Sequence, residues 1–220
     1  MNRHHEIYLH FYKIDKSSYQ DKVRFFEKHK EQLTQLSFHE GLEMKADYAF
    51  ALFELGKYYP YLKLCDELIE TVIMENILRL NGKNIFEELL FRKAASLYNL
   101  RQFDDAIKIA REIIAINPAN TLAANLLRQS LRLKGYKWYE VSKGIAVVFL
   151  LSGISVVVAE LFVVDPFYET YAFHVRIFRI SLFVIAGVLL LFNEIAIRAI
   201  CFLHVNKYAH KIERKRTFKI

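Results

Sequence analysis

The sequence predicts an all-α chain, a helical-hairpin repeat array followed by two transmembrane helices, and three observations carry that prediction. Apolar residues recur at three- and four-residue intervals over the first two thirds of the chain. One pattern returns along that stretch at shifts of 45 and 34 residues. The last third holds two long apolar runs, which explain a hydrophobic content of 54% in 220 residues, high for a solvated globule.

Residues 1–41 read as an N-terminal helical cap or a degenerate repeat. MNRHHEIYLHFYKID lacks the apolar segment and the cleavage site of an export signal, so residues 1–140 are expected to stay in the cytosol. HHEIYLH approaches the zinc-protease pattern of two histidines around a glutamate, but His5 and His10 are five apart. At about 100° per residue they point roughly 140° away from each other on a helix, too far to close on one metal. They are expected to be polar residues of a frayed terminus, and no metal or other cofactor is predicted. SSYQDKVRFFEKHKEQLTQL then sets Val23, Phe26, Leu33 and Leu36 on one side of a single helix.

Residues 42–143 carry the repeats. Ile85, Leu89, Leu90, Ala94, Leu97 and Tyr98 form one helical stripe, and Phe103, Ala106, Ile107, Ala110, Ile113 and Ile114 form the next, with a break near 100–102. Pro118 ends the second helix, because the residue before a proline is pushed out of the α region. Asn120 or Thr121 can cap the helix that follows. This segment resembles a tetratricopeptide repeat, a 34-residue helix-turn-helix unit with small residues at its helix crossing and a closing proline. Leu90, Ala94, Leu97, Phe103, Ala106 and Pro118 carry the likeness. Arg101 stands where the family's turn uses glycine, a departure expected to cost little. Shifting back by 45 finds Ala49, Leu52, Gly56 and Tyr58 in register, with Tyr61 in place of a small residue and the extra length absorbed by a long second helix and the NGKN turn at 81–84. Shifting forward by 34 finds Leu131 and Gly135, with a partner helix expected from near Trp138 into the first apolar run.

The first apolar run, residues 144–164, has 21 residues and one charge, Glu160. At about 1.5 Å per residue it crosses a hydrocarbon core. The second, residues 177–203, is interrupted by Arg179, Asn193, Glu194 and Arg198, while 180–192 is uncharged. Together they predict a transmembrane hairpin over 144–203. Arg132, Lys134, Lys137 and Lys143 precede it, and the basic tail 204–220 follows with Lys207, Lys211, Arg214, Lys215, Arg216 and Lys219, so both termini are expected on the cytosolic side. The composition, rich in Lys, Ile, Phe and Tyr, suits a bacterial cell (inner) membrane, and an organelle membrane would look the same. Ionisable groups in hydrocarbon are costly and need partners. Glu160 is expected to pair with Arg176 or Arg179 across the hairpin, and Glu194 with Arg198 along one helix. These five residues act either as structural glue or as a polar seam lining a pore in an oligomer, for which Ser155 and Ala159 offer a close-approach face.

Most of the net charge of +7 sits beside the apolar runs, which points to membrane lipid and not to nucleic acid. Cys65 and Cys201 are too few and too separated for a disulfide framework or zinc site. Arg198 and His204 resemble the short arginine-histidine motif of HEPN-type ribonucleases, but such residues at a membrane edge have an ordinary explanation in snorkelling. Neither a phosphate-binding glycine loop nor a nucleophile elbow occurs, and no enzyme is expected. The repeat resemblance implies a superhelix whose concave face receives a protein or peptide partner. Carried over residue by residue, that face comprises Ala46, Phe50 and Phe53, then Phe91, Ala95 and Tyr98, then Asn125, Gln129 and Arg132, with packing against the N-terminal helix as the alternative use of its aromatics. The lysine-asparagine clamp that some members use on chaperone tails is missing. The expected function is a membrane-anchored adaptor or scaffold; the alternative is an oligomeric membrane effector whose hairpins form a pore or disrupt the bilayer.

Overall fold

The computed structural model describes residues 3–77, 79–80 and 82–217. Met1, Asn2, Asn81 of the NGKN turn and Lys219 of the basic tail lie outside the described residues. The chain divides into two compact units, Met1–Ser130 with Ile212–Ile220, and Leu131–Lys211. It is all-α apart from a two-residue antiparallel ladder, β1 (Arg79–Leu80) with β2 (Lys83–Asn84).

In the first unit, α1 (Arg3–Lys13), α2 (Tyr19–Lys28) and the short α3 (Lys30–Leu33) precede two helical hairpins, α4 (Phe38–Glu54) with α5 (Tyr58–Met74) and α6 (Ile85–Asn99) with α7 (Phe103–Ile116). The single helix expected over 17–36 is broken at His29, whose ring and backbone nitrogens both turn back onto the Phe25 carbonyl. The start of α4 is a capping box: Ser37 Oγ accepts from the Glu40 backbone N–H at 3.4 Å and donates to the Glu40 carboxylate at 2.7 Å. Asn84 and Asn120 cap α6 and α8 (Thr121–Lys134) with their side-chain oxygens. Consecutive helices pack in order, α4 on α5, α5 on α6 and α6 on α7, while α2 lies against α4. Small residues permit these approaches: Ala49, Ala94, Ala106 and Ala110 are completely buried, beside Leu68, Leu89 and Ile113. Each large apolar side chain so buried contributes about 1.5–3 kcal/mol relative to exposure.

The same turn recurs at the related positions. Gly56, Arg101 and Gly135 all take positive φ, 72°, 61° and 74°. At the first two, the following residue's N–H returns to the carbonyl five back, Lys57 to Leu52 and Gln102 to Leu97, both at 2.9 Å, which is the Schellman closure of a helix. Even the aromatic brace repeats, Phe53 edge-on to Tyr58 and Tyr98 edge-on to Phe103. The turn at Arg101 is therefore not indifferent to residue type, as the sequence suggested, because an L side chain there occupies the left-handed region at a cost of about 1–2 kcal/mol.

The second unit is an apolar hairpin. The helix α9 (Lys137–Ala159) passes through one π turn, Glu160–Val164, into the three-residue α10 (Asp165–Phe167). After a 3-10 turn at Glu169–Tyr171, α11 runs unbroken from Ala172 to Thr217. The tail expected from 204 onward is thus helical as far as Thr217, continuing the second apolar helix. The two helices lie close at Gly153, where a Cβ would stand 3.0 Å from the Phe183 ring. Away from that seam the hairpin exposes its aliphatic side chains, among them Val148, Leu151, Val184 and Leu191.

Candidate functional site

Along the first helices of the hairpins, Phe50, Phe53, Phe91 and Tyr98 are half-buried. Phe50 and Phe53 are covered from α6 by Arg92, whose guanidinium carbon lies 4.6 Å and 5.0 Å from the two ring centres. Arg92 also bonds Glu88 at 2.8 Å and Glu54. Burial lowers its pKa, but the two carboxylates outweigh burial and hold it above its ordinary value. On this part of the expected aromatic face, two of the rings thus carry a cation over them. Ala46 is buried in the core, so it lines nothing open. The helical spacing of Glu88 and Arg92 was legible in the sequence, whereas the contact across hairpins to Phe50 was not.

On the far side of α4, Phe26 and Tyr48 stack face to face at 4.1 Å beside a cleft of about 970 Å³ lined by Leu33, Leu36, Phe38 and Leu64. The terminus expected to fray is a docked helix: Phe11 of α1 is completely buried, Tyr8 donates to Glu43, and His5 lies 2.7 Å from Glu40. Burial and the Glu43 carboxylate push Tyr8 up to about 12. Between α5 and α6, Tyr61 and Cys65 both donate to the Leu89 carbonyl, at 3.2 Å and 3.6 Å. Burial raises both, the tyrosine well above its ordinary value and the thiol to about 11.

At the end of the array, Glu87 accepts from both Asn117 and Asn120 and so ties α6 to the start of α8. Asn125 and Gln129 are exposed on α8, Asn125 accepting from Arg128 at 2.9 Å. Arg132, expected in the groove with them, is instead committed to Glu194 of the hairpin at 2.6 Å.

The five ionisable residues named from the sequence, Glu160, Arg176, Arg179, Glu194 and Arg198, all find partners within the hairpin unit. Glu160, 3% exposed, accepts from Arg179 at 2.6 Å and from Arg176 at 3.4 Å. The π turn that begins at Glu160 gives this residue a local geometry an uninterrupted α-helix lacks. At the other end, one oxygen of Glu194 accepts from Arg132 and from Arg198 at 2.9 Å, and the second accepts from Tyr139 at 3.1 Å. Next to it, Asn193 donates to Ser142 at 2.8 Å and is 2% exposed. The two polar rungs bracket the uncharged stretches 144–159 and 180–192. About 16 residues separate Glu160 from Lys143, a rise of about 25 Å, close to the thickness of a hydrocarbon core.

Among the described residues, no group of three or more His, Cys, Asp or Glu is placed to hold a metal ion. Comparisons with protein-family models, with curated proteins and with solved structures returned no match. The functional reading therefore rests on the geometry of the chain itself.

Proposed function

We propose that this chain is a membrane-anchored interaction module, a tetratricopeptide-like array of helical hairpins held at the cytosolic face of a membrane by a two-helix transmembrane anchor, with both termini inside. The observation that carries the reading is the division of polarity in the hairpin. Glu160, Arg176, Arg179, Glu194 and Arg198 are paired internally, while the outward surface is aliphatic over helices long and apolar enough to cross a bilayer. A soluble hairpin would instead bury those side chains. Exposed Phe167, Tyr168, Tyr171 and Phe173 at the tip, with Trp138 at the opposite end, match the aromatic belts of membrane interfaces. A bacterial cell membrane fits the composition.

The pore alternative requires a polar seam turned outward toward other copies. The side chains that suggested such a seam pair with one another inside one hairpin, with Glu160 buried between its two arginines, which favours the anchor. For the array, the repeated turns and alanine crossings support the repeat reading, and the half-buried aromatics at Phe91 and Tyr98 are the surface offered to a protein or peptide partner.

The test is affinity capture of the detergent-solubilised full-length chain, with mass spectrometry of what accompanies it and native mass of the particle. A stoichiometric partner on a monomer or dimer, lost on Phe91→Ala with Tyr98→Ala, is expected. A partner-free ring of many copies would overturn the adaptor reading and restore the pore.

A further inference from the structure

We infer that the inner polar rung of the hairpin is a binding site for the phosphate of an anionic membrane lipid, held by Arg132 and Arg198 with Lys143 beside them. The inference rests on the transmembrane reading above. Two guanidinium groups converge on the same oxygen of Glu194, Arg132 through its terminal nitrogen at 2.6 Å and Arg198 through Nε at 2.9 Å. A single carboxylate oxygen thus holds two cations within its own reach of each other. Each guanidinium has five N–H donors, and this contact uses one from each. The side chains are not sealed in: Arg132 is 43% exposed and Arg198 65%. Tyr139 bonds the other Glu194 oxygen, and the Lys143 ammonium rests 4.3 Å from the centre of the Tyr139 ring. Two guanidinium cations therefore share one carboxylate, with the Lys143 ammonium one aromatic ring away.

The position selects the ligand. Asn193 and Ser142 mark the edge of the uncharged segment immediately beside this cluster, so the free donors lie at the depth where lipid phosphates begin. Arginine's planar fork matches phosphate oxygens, which accept from two guanidiniums at once. Glu194 acts as the positioning group, setting the spacing of the two arginines while its charge is outnumbered. A zwitterionic lipid brings its own ammonium to the same place and forfeits part of the attraction, so a lipid with net negative charge, such as phosphatidylglycerol, is the better ligand.

The experiment uses the full-length chain in detergent micelles supplemented with equal amounts of phosphatidylglycerol and phosphatidylcholine. Native mass spectrometry counts the lipids retained through stepwise activation. The native chain is expected to keep one phosphatidylglycerol in preference, and Arg132→Gln with Arg198→Gln to weaken that retention by about thirty-fold, at a typical worth of about 1 kcal/mol per basic residue at a membrane surface. Arg132→Lys with Arg198→Lys keeps the charge and loses the fork, and should fall between the two, so a folding defect in the glutamine pair cannot by itself imitate the result. Lys207→Gln with Lys211→Gln, the same charge change in the exposed continuation of α11, should leave retention unchanged. Equal retention by the native chain and the glutamine pair overturns the site, as does an equal loss in the Lys207 and Lys211 pair, which would mean diffuse attraction. Protection by millimolar inorganic phosphate without lipid would overturn the lipid assignment in favour of free phosphate. Flotation of the chain with phosphatidylcholine vesicles reads membrane insertion separately, so failure of the anchor and failure of this site are told apart.

Discussion

Both regions of the molecule build a triad of charges, with the hub reversed. In the helical array one arginine serves two carboxylates, Arg92 between Glu54 and Glu88. In the apolar hairpin one carboxylate serves two arginines, Glu160 between Arg176 and Arg179. The hub is the buried member in each case, the Arg92 side chain at 18% exposure and that of Glu160 at 4%. The difference lies in what surrounds the outer partners. The carboxylates around Arg92 are about one third exposed and keep water as an alternative partner, so the pairing is worth little beyond geometry. On the transmembrane reading proposed above, Arg179 flanks an uncharged helix that would face hydrocarbon, where losing the hub strands a charge away from water. Similar triads thus differ in energetic weight because the reference state differs.

The largest effect should come from Glu160→Gln, which leaves two guanidiniums without their carboxylate. It is expected to destabilise the hairpin by about 3–5 kcal/mol in reversible unfolding from micelles, with Arg179→Gln restoring part of the loss in the double variant. An unchanged unfolding curve would put Glu160 in water and break the comparison. Next, Gly153→Leu forces a side chain into the Phe183 ring and should cost about 1–3 kcal/mol by the same assay.

The buried neutral groups of the array give a pH test. Cys65 is held neutral by burial up to about 11, whereas an exposed thiol ionises near 8.5. Between these values the unfolded chain releases the proton and the folded chain keeps it. Stability is therefore complete below about pH 8 and falls as pH rises, by about 1 kcal/mol at pH 9.5. In urea unfolding the stability difference between the native chain and Cys65→Ala should stay constant below about pH 8 and change only on the alkaline side; a difference constant throughout would place the thiol in contact with solvent.

Arg92→Met replaces the array's hub with an apolar chain over Phe50 and Phe53. Urea titration should register a change of no more than about 1 kcal/mol, because Glu54 and Glu88 turn to water. A loss as large as that of Glu160→Gln would erase the contrast between the two regions. The smallest effect is a gain: Arg101→Gly should raise the melting temperature by relieving the left-handed backbone, worth about 0.5–1 kcal/mol once glycine's extra freedom in the unfolded chain is deducted. Gly56→Arg should do the reverse.

Much of the fold was legible because it depends on local rules. Pro118 ends α7 by sterics, Asn120 caps α8 through its own side chain, and the stripes at Leu89 to Leu97 and Ala106 to Ile114 mark faces that any amphipathic helix must bury. The opposite signs of Glu160 and Arg179, each beside an uncharged run, made their pairing readable too. The aromatic groove was less readable. Spacing aligns Phe50, Phe53, Phe91 and Tyr98 on one helical side, but spacing says nothing of a guanidinium arriving from the neighbouring hairpin. Likewise the helix breaks at His29, whose side chain turns back on the Phe25 carbonyl, and no periodicity announces it.

By itself the sequence determined the helical periods, the ends of most helices, the two apolar helices and the sign of the charges that flank them, since each follows from interactions among residues a few positions apart or from bulk transfer to hydrocarbon. Tertiary structure alone decided which partners those residues take. It committed Arg132 to Glu194, 62 positions away, laid Arg92 over two phenylalanines, docked α1 through the buried Phe11 with Tyr8 and His5 held by α4, and put Arg101 into a backbone conformation suited to glycine. Those outcomes depend on how packed helices bring distant side chains within a few ångströms, a distance at which geometry rather than spacing sets the energy.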